Sequence, residues 1–433
     1  MTLARGSEEM NCTAHPITRI NSLHMKTTQL TLWLAVILLA LGTTVPQRPQ
    51  ISEADRSQLT IPADITSYGG IFLQARINNS QLMWFCLDSG ASYPFIIDTT
   101  QARALGLQLQ THFTSGGGAG PNSYDVSETK GVKISLSSLE FDDQTADVIA
   151  LASIAEQLGR PLDGIVGINL FTHYVVEIDF ISKKITLYSP KRYTYSGPGD
   201  SIPLTLRDGH FFIPAKVEQP DRRRLNGQFV VDTGGVMVTA VWTTPFAQSN
   251  KLPAPTQRTV LDRSLSGLGG ETKLLVSRAT SFTLGSSVIR APIVYVSQDT
   301  DGALASSEYE GLIGSEILRR FKVIFDYARR RLILERNSHF DEPIEYDMSG
   351  ISFRAYGNDF RTFRIFQVLE DSPAAKVGLR VGDVLGSING VPSSRLTLEQ
   401  IVQMLKVEGR EYDLSIKRGV ETISVKIKTR RLI

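Results

Sequence analysis

Two short runs of this chain carry residues that could do chemistry. Residues 84–92 read WFCLDSGAS and residues 227–241 read GQFVVDTGGVMVTAV. Each is an apolar strand running into a carboxylate, a hydroxyl residue and a glycine: Asp88-Ser89-Gly90 and Asp232-Thr233-Gly234. A carboxylate on a tight turn between buried strands is costly to desolvate unless something needs it there. One D-[ST]-G is weak evidence, because Asp, Ser and Gly are ordinary turn residues. Two of them, each ending an apolar strand, are harder to dismiss. Carboxyls brought together cannot both ionise, so they share a proton, and one can act as base while the other acts as acid.

The elements that must position these residues repeat along the chain. In the first unit a strand over 70–77, a turn at 78–80 and a returning strand over 81–87 lead to Asp88. A short helix over 99–105 follows, then a glycine-rich tip over 115–120, the run Asp163-Gly164-Ile165-Val166-Gly167 and a closing hairpin over 175–188. The second unit repeats that order. A strand over 211–217 leads to Asp232, a glycine-rich tip lies at 266–270, Glu310-Gly311-Leu312-Ile313-Gly314 answers the earlier DGIVG, and a hairpin over 323–334 closes. The spans agree too: 79 residues from Asp88 to Gly167 (167 − 88) and 82 from Asp232 to Gly314 (314 − 232). An internal repeat on this scale outranks any single motif.

At 433 residues the chain has length for two to four domains and ample core. A hydrophobic content of 42% with 21% charged residues reads as globular and soluble. The net charge of +2 gives no electrostatic case for nucleic acid, and the run Arg222-Arg223-Arg224 reads as a solvated hairpin tip. Residues 30–41, LTLWLAVILLAL, are too short for a comfortable membrane span. With Lys26 before them and Ala40-Leu41-Gly42 offering small residues for cleavage, they read as a secretory signal in a 1–45 extension, Met25 being the alternative start. An uncleaved N-terminal anchor is the other reading. Residues 46–60 then form a polar, proline-bearing tether. Of the two cysteines, Cys12 would be removed with the signal, leaving Cys86 as a small buried hydrophobe and size rather than cross-linking as the source of stability.

The paired D-[ST]-G, each followed downstream by hydrophobic-hydrophobic-Gly, resembles the aspartic proteases of the pepsin and retropepsin type. The resemblance covers residues 61–335 and implies a mostly β fold of two pseudo-symmetric acid-protease β-barrel lobes, 61–190 and 201–336. It implies that Asp88 and Asp232 are the catalytic pair, that water activated by them attacks a peptide carbonyl, and that no metal or cofactor takes part. It implies too that Ser89 and Thr233 cross-link the two loops, while Gly90 and Gly234 let backbone amides approach the carboxylates. The tips carrying Gly116, Gly117, Gly118 and Gly267, Gly269, Gly270 resemble substrate-covering flaps, one per lobe; plain mobile hairpin tips are the alternative. Pepsin-like enzymes carry a hydroxyl residue directly after D-[ST]-G; here Ala91 and Gly235 stand there, which points to a less acidic optimum than pepsin's.

Residues 190–200 and the acidic stretch 336–349 read as linkers, and residues 346–433 differ in kind. The run SPAAKVGLRVGDVLGSINGVP resembles a PDZ domain, an α+β, partly open barrel of the kind appended to bacterial exported proteases. Gly350-Ile351-Ser352-Phe353 sits where that family holds a peptide's terminal carboxylate, with Ser352 in place of the usual glycine. A module that only braces the protease lobes is the alternative. The six histidines form no H-E-x-x-H, and neither Cys-x-x-Cys nor Gly-x-Ser-x-Gly occurs. The expectation is therefore a monomeric, periplasmic or extracellular aspartic endopeptidase acting on peptides or proteins. The competing one is a peptide-binding protein without catalysis on the same scaffold.

Overall fold

The computed structural model describes residues 58–433; the signal and most of the tether expected over 1–60 lie outside them. The last three tether residues are already strand. Gln58–Ile65 pairs through Gln58–Pro62 with Lys184–Tyr188 and through Ala63–Ile65 with Ile71–Ile77, so the first lobe begins three residues earlier than its composition indicates. Alternate residues of this polar stretch meet a sheet on one side only, which composition does not register.

Both lobes are built around one strand arrangement. In lobe 1, Met83–Leu87 runs parallel to Gly164–Val166, which is in turn antiparallel to Phe95–Asp98. In lobe 2, Arg224–Val231 runs parallel to Gly311–Ile313, which is antiparallel to Ala240–Trp242. The strand that ends in the aspartate and the strand that leaves its loop are thus separated by the short hydrophobic-hydrophobic-Gly strand. The apolar residues 85–87, 95–97 and 229–231 are buried, as strands covered on both faces require.

A six-stranded sheet joins the lobes beneath these loops, in the order Asp200–Pro203, Arg331–Arg336, Phe321–Asp326, Val175–Asp179, Lys184–Tyr188, Gln58–Ile65. Each lobe contributes its closing hairpin, and the two hairpins pair antiparallel from Lys322–Asp179 to Phe325–Val176. One apolar core runs through both lobes, with Phe171, Phe211 and Phe325 in mutual ring contact where they meet. Residues 336–349 are not a free linker. Arg320, fully buried, donates to the carbonyls of His339, Phe340 and Glu342, and Ile344 and Met348 are buried. An arginine that satisfies three carbonyls turns an acidic linker into a strap on lobe 2.

The C-terminal domain has its own core, including Ile351, Phe353, Leu385, Ile401, Leu414 and Ile416. Its strand Ile351–Tyr356 is an edge, paired only with Thr362–Val368. Its helix Leu398–Leu405 opens with a capping box between Thr397 and Gln400.

Candidate active site

Each aspartate sits at the end of its buried strand, pinned by the short strand beside it. Asp88 N donates to Val166 O and Asp232 N donates to Ile313 O, both at 2.9 Å. The glycines after those strands are required by closeness. A Cβ on Gly167 would lie 2.0 Å from Tyr93 O, and one on Gly314 would lie 2.5 Å from Val238 O and 2.7 Å from Gly235 O. Side-chain atoms cannot occupy that space, so glycine lets each aspartate loop lie directly on the strand below it.

The two loops are locked to each other with near two-fold symmetry. Ser89 N donates to Thr233 Oγ1 at 2.9 Å, and Thr233 N donates to Ser89 Oγ at 3.1 Å. The hydroxyls then donate across, Ser89 Oγ to Val231 O at 2.6 Å and Thr233 Oγ1 to Leu87 O at 2.8 Å. Both residues are buried, so four hydrogen bonds in low dielectric fix the separation of the carboxyls. Gly90 N and Ala91 N donate to Asp88 Oδ1 at 2.8 and 3.2 Å, and Gly235 N donates to Asp232 Oδ1 at 2.9 Å. A Cβ on Gly90 would stand 2.6 Å from Asp232 Oδ1, and one on Gly234 2.2 Å from Asp88 Cγ. Each glycine therefore faces the opposite aspartate.

Asp88 and Asp232 lie side by side across the two loops and are half-buried. Burial raises both carboxyls above the ordinary range, and the backbone donors of Gly90 and Ala91 partly offset this at Asp88. Asp232 is raised further by the charge of Asp88. The two carboxyls therefore share one proton and titrate as a pair. Cys86, two residues upstream, is buried with its thiol pushed up by burial and by Asp88, as expected of a packing residue.

The glycine tips come together, but not all of them. Leu109–Ser115 and Tyr124–Leu136 carry the first tip, and the hairpin Ser266–Gly267 with Gly270–Glu271 carries the second. Gly269 N donates to Ala119 O at 2.8 Å, Asn122 N to Gly269 O at 3.0 Å, and Ala303 N to Gly118 O at 3.0 Å. Gly118, Gly267, Gly269 and Gly270 all lie in this junction, whereas Gly116 and Gly117 stand clear of it in open space. Leu268 packs on the same apolar cluster as Ala91, Tyr93 and Tyr124. The tips thus close beside the aspartate loops.

Residues 73–170 match the aspartyl protease family, and residues 364–418 match the PDZ domain family. The chain joins an aspartyl protease domain to a PDZ domain. It is similar to a probable CtpA-like serine protease of Staphylococcus haemolyticus, 26% identical over 135 residues, which are 31% of this chain and 25% of that one. A protein of the same description in Staphylococcus aureus strain COL is 26% identical over 139 residues, 32% and 26% of the two chains. The chain therefore spans about a quarter of the length of these curated relatives. Among solved structures, an aspartic proteinase from Irpex lacteus is 17% identical with a TM-score of 0.41, over 66% of this chain and 99% of that one. Conglutin gamma from lupine seeds is 14% identical with a TM-score of 0.39, over 66% and 96%.

The run Gly350–Phe353, which by resemblance holds a terminal carboxylate, has amides engaged within the chain. Asp347 Oδ1 accepts from Ser349 N at 3.0 Å and also from Gly350 N, and Ser349 Oγ accepts from Ile351 N at 3.0 Å. Two amides of the Gly350–Phe353 run are thus already bound by the chain's own side chains, a carboxylate among them. The protease lobe also touches this domain at two elements: helix Ala152–Leu158 packs on strand Ile351–Tyr356, and its cap Gly159 backs onto Leu398. Neither contact has a signature in the sequence around residue 350.

Two residues near the aspartates escaped the sequence reading. His210 lies beside Gly90 and Asp88, and burial holds its imidazole below the ordinary histidine range. Tyr309 is pushed up to about 12 by burial and by Asp232, and its hydroxyl donates to Ala303 O at 2.6 Å, the residue that grips the first tip. A lone His on an alternating strand and a lone Tyr in a loop carry no local signal. Only the preceding Gly209, whose Cβ would stand 2.6 Å from Ser92 Cβ, hints at a close approach of the lobes.

Proposed function

We propose that the chain is an aspartic endopeptidase in which Asp88 and Asp232 activate water against a peptide carbonyl. The observation that supports this is the pair itself: two carboxyls set beside each other by the cross-linked loops and both raised by burial. In this reading Asp88, which accepts from the amides of Gly90 and Ala91, is the base and takes a proton from water as it attacks the carbonyl carbon. Asp232 donates its proton to the carbonyl oxygen; as the C–N bond breaks, the proton acquired by Asp88 passes to the departing amine and a hydroxyl of the tetrahedral intermediate returns a proton to Asp232 as the new carbonyl forms. No covalent intermediate forms. Ser89 is poorly suited to serine-protease chemistry, because its hydroxyl is committed to Val231 O and to Thr233 N. Substrate lies between the loops and the joined tips, whose opening admits it.

Export fits this reading through the 30–41 segment; among the described residues no helix is long and apolar enough to cross a membrane. The PDZ domain packs on the protease lobe at strand Ile351–Tyr356, and capture of a peptide C-terminus as a strand on that edge requires helix Ala152–Leu158 to move away.

The test incubates the purified chain with peptide libraries between pH 2 and 8, beside Asp88→Asn and Asp232→Asn. Cleavage by the wild type, reduced by each single change by about three orders of magnitude or more, is expected of a pair acting as one unit. No cleavage anywhere in that range would turn the reading toward a peptide-binding protein on the same lobes.

A further inference from the structure

The second tip is not held by its own lobe alone. Its incoming arm, strand Val260–Asp262 and the residues up to Leu268, is gripped by side chains of the strap and the PDZ domain. Tyr346 Oη donates to Asp262 Oδ2 at 2.6 Å. Gln367 accepts from Arg263 N at 3.0 Å and donates to Leu261 O at 2.9 Å. Nearer the tip, Arg354 Nη2 donates to Ser266 Oγ at 2.7 Å and Nη1 donates to Gln157 Oε1 at 2.6 Å. The same Gln157 oxygen accepts from Ser266 N at 2.7 Å. One guanidinium thus ties together the PDZ edge strand, the lobe-1 helix that carries Gln157, and the first residue of the lobe-2 flap.

Stability alone does not explain an arginine at this position. Arg354 is 4% exposed, and both of its hydrogen-bond partners are neutral. A buried cation with no carboxylate at bonding distance costs desolvation that neutral partners return only in part, so an apolar residue of equal volume would serve the packing better. Its guanidinium lies 4.3 Å over the Phe366 ring, a favourable seat but a modest one. What arginine supplies and a hydrocarbon cannot is a rigid planar fork that fixes two acceptors on different elements at once.

We infer that Arg354 is a positioning residue that sets the closed place of the second flap, making the PDZ domain part of the apparatus that holds substrate over the aspartates. The inference rests on the endopeptidase reading for its kinetic consequence but not for its structural one. The experiment uses the full chain, with Arg354→Met to keep volume and remove the fork, Arg354→Lys to restore charge without it, and Ser266→Ala to remove the flap acceptor. Hydrogen exchange is followed at the amides of 266–272 and, as an internal reference, of helix Leu398–Leu405. Loss of a hydrogen-bonded tie should speed exchange in Arg354→Met at 266–272 by about threefold or more, with the reference helix unchanged. Arg354→Lys should recover little of this, and Ser266→Ala should add little in the Arg354→Met background. On peptide substrates KM should rise by a similar factor while kcat moves less, since a loosened flap weakens binding before it touches chemistry.

Unchanged exchange at 266–272, or an equal rise throughout the PDZ domain, would overturn the inference. So would faster flap exchange with KM and kcat both unaltered in a chain that cleaves. If no peptide is cleaved, the endopeptidase reading fails and the exchange comparison still decides whether Arg354 holds the flap.

Discussion

Around Asp88 and Asp232, what is missing matters as much as what is present. In the proposed mechanism one carboxyl is charged and the other protonated, so activity should fall on the acid side as the first gains a proton and on the alkaline side as the second loses one. Burial raises both carboxyls, and at positions 91 and 235 no hydroxyl pulls them back. Ala91→Ser places a hydroxyl donor beside a carboxylate that already accepts from the amide of residue 91. A donor that favours the ionised form lowers the pKa. With ~1 kcal/mol for such a bond and ~1.4 kcal/mol per pH unit, the acid limb of kcat/KM should move down by about 0.7 unit. Gly235 is a worse place for the same change, since a Cβ there would press on Asp232 Oδ2 at 3.1 Å. A profile of Ala91→Ser whose acid limb is unmoved or shifted upward would show that position 91 does not set the charge of Asp88.

At the scale of elements, the two short strands Gly164–Val166 and Gly311–Ile313 set the aspartates in place, and their following glycines make this possible. In Gly167→Ala the new Cβ meets Tyr93 O at 2.0 Å and Ala91 O at 2.9 Å, backbone atoms that can yield only if the aspartate loop moves. The expected cost is about 2–4 kcal/mol of stability, as for other overpacked or strained buried sites. Activity should fall further than stability, because the loop that shifts carries Asp88. Gly116→Ala, in open space at the edge of the first tip, should change neither. Thermal unfolding and kcat/KM measured on both variants check this; similar behaviour of the two would deny that the close approach matters. These strands were legible in the sequence because strand, turn and glycine lie within a few residues of one another and occur twice. The junction of the tips was half legible: glycine composition marks a tip, but does not say that Gly118 meets the other hairpin while Gly116 does not. His210 and Arg354 were illegible, because their neighbours lie far along the chain, Gly90 for His210 and Ser266 and Gln157 for Arg354, and neither occurs in a local pattern.

For the whole molecule, the question is whether the PDZ domain is free to bind another chain. Residues 336–349 read as a linker and 346–433 as an independent module, because charge and proline suggest solvent and nothing local announces Arg320 or Asp347. The folded chain instead commits the domain to its own protease lobes. Ser67 N donates to Glu399 Oε1 at 2.6 Å, Tyr68 Oη donates to Glu399 O at 3.0 Å, and Gly159 leaves no room for a side chain against Leu398, 2.6 Å from where its Cβ would stand. Gly159 also takes a left-handed conformation, φ 67°, so Gly159→Ala adds about 1 kcal/mol of backbone strain to the clash. The substitution should push lobe 1 away from the first turn of helix Leu398–Leu405 and open the groove beside strand Ile351–Tyr356. A labelled peptide with a free C-terminal carboxylate, followed by fluorescence anisotropy, should then bind the variant about tenfold more tightly than the wild type, because the competent state is no longer a minor one. The same peptide with an amidated terminus should show no such gain, since the loop amides recognise the charge. Equal affinity of both proteins for the free-acid peptide would mean that lobe 1 does not restrict the groove, and that the loop's own carboxylate, Asp347, is what keeps ligands out.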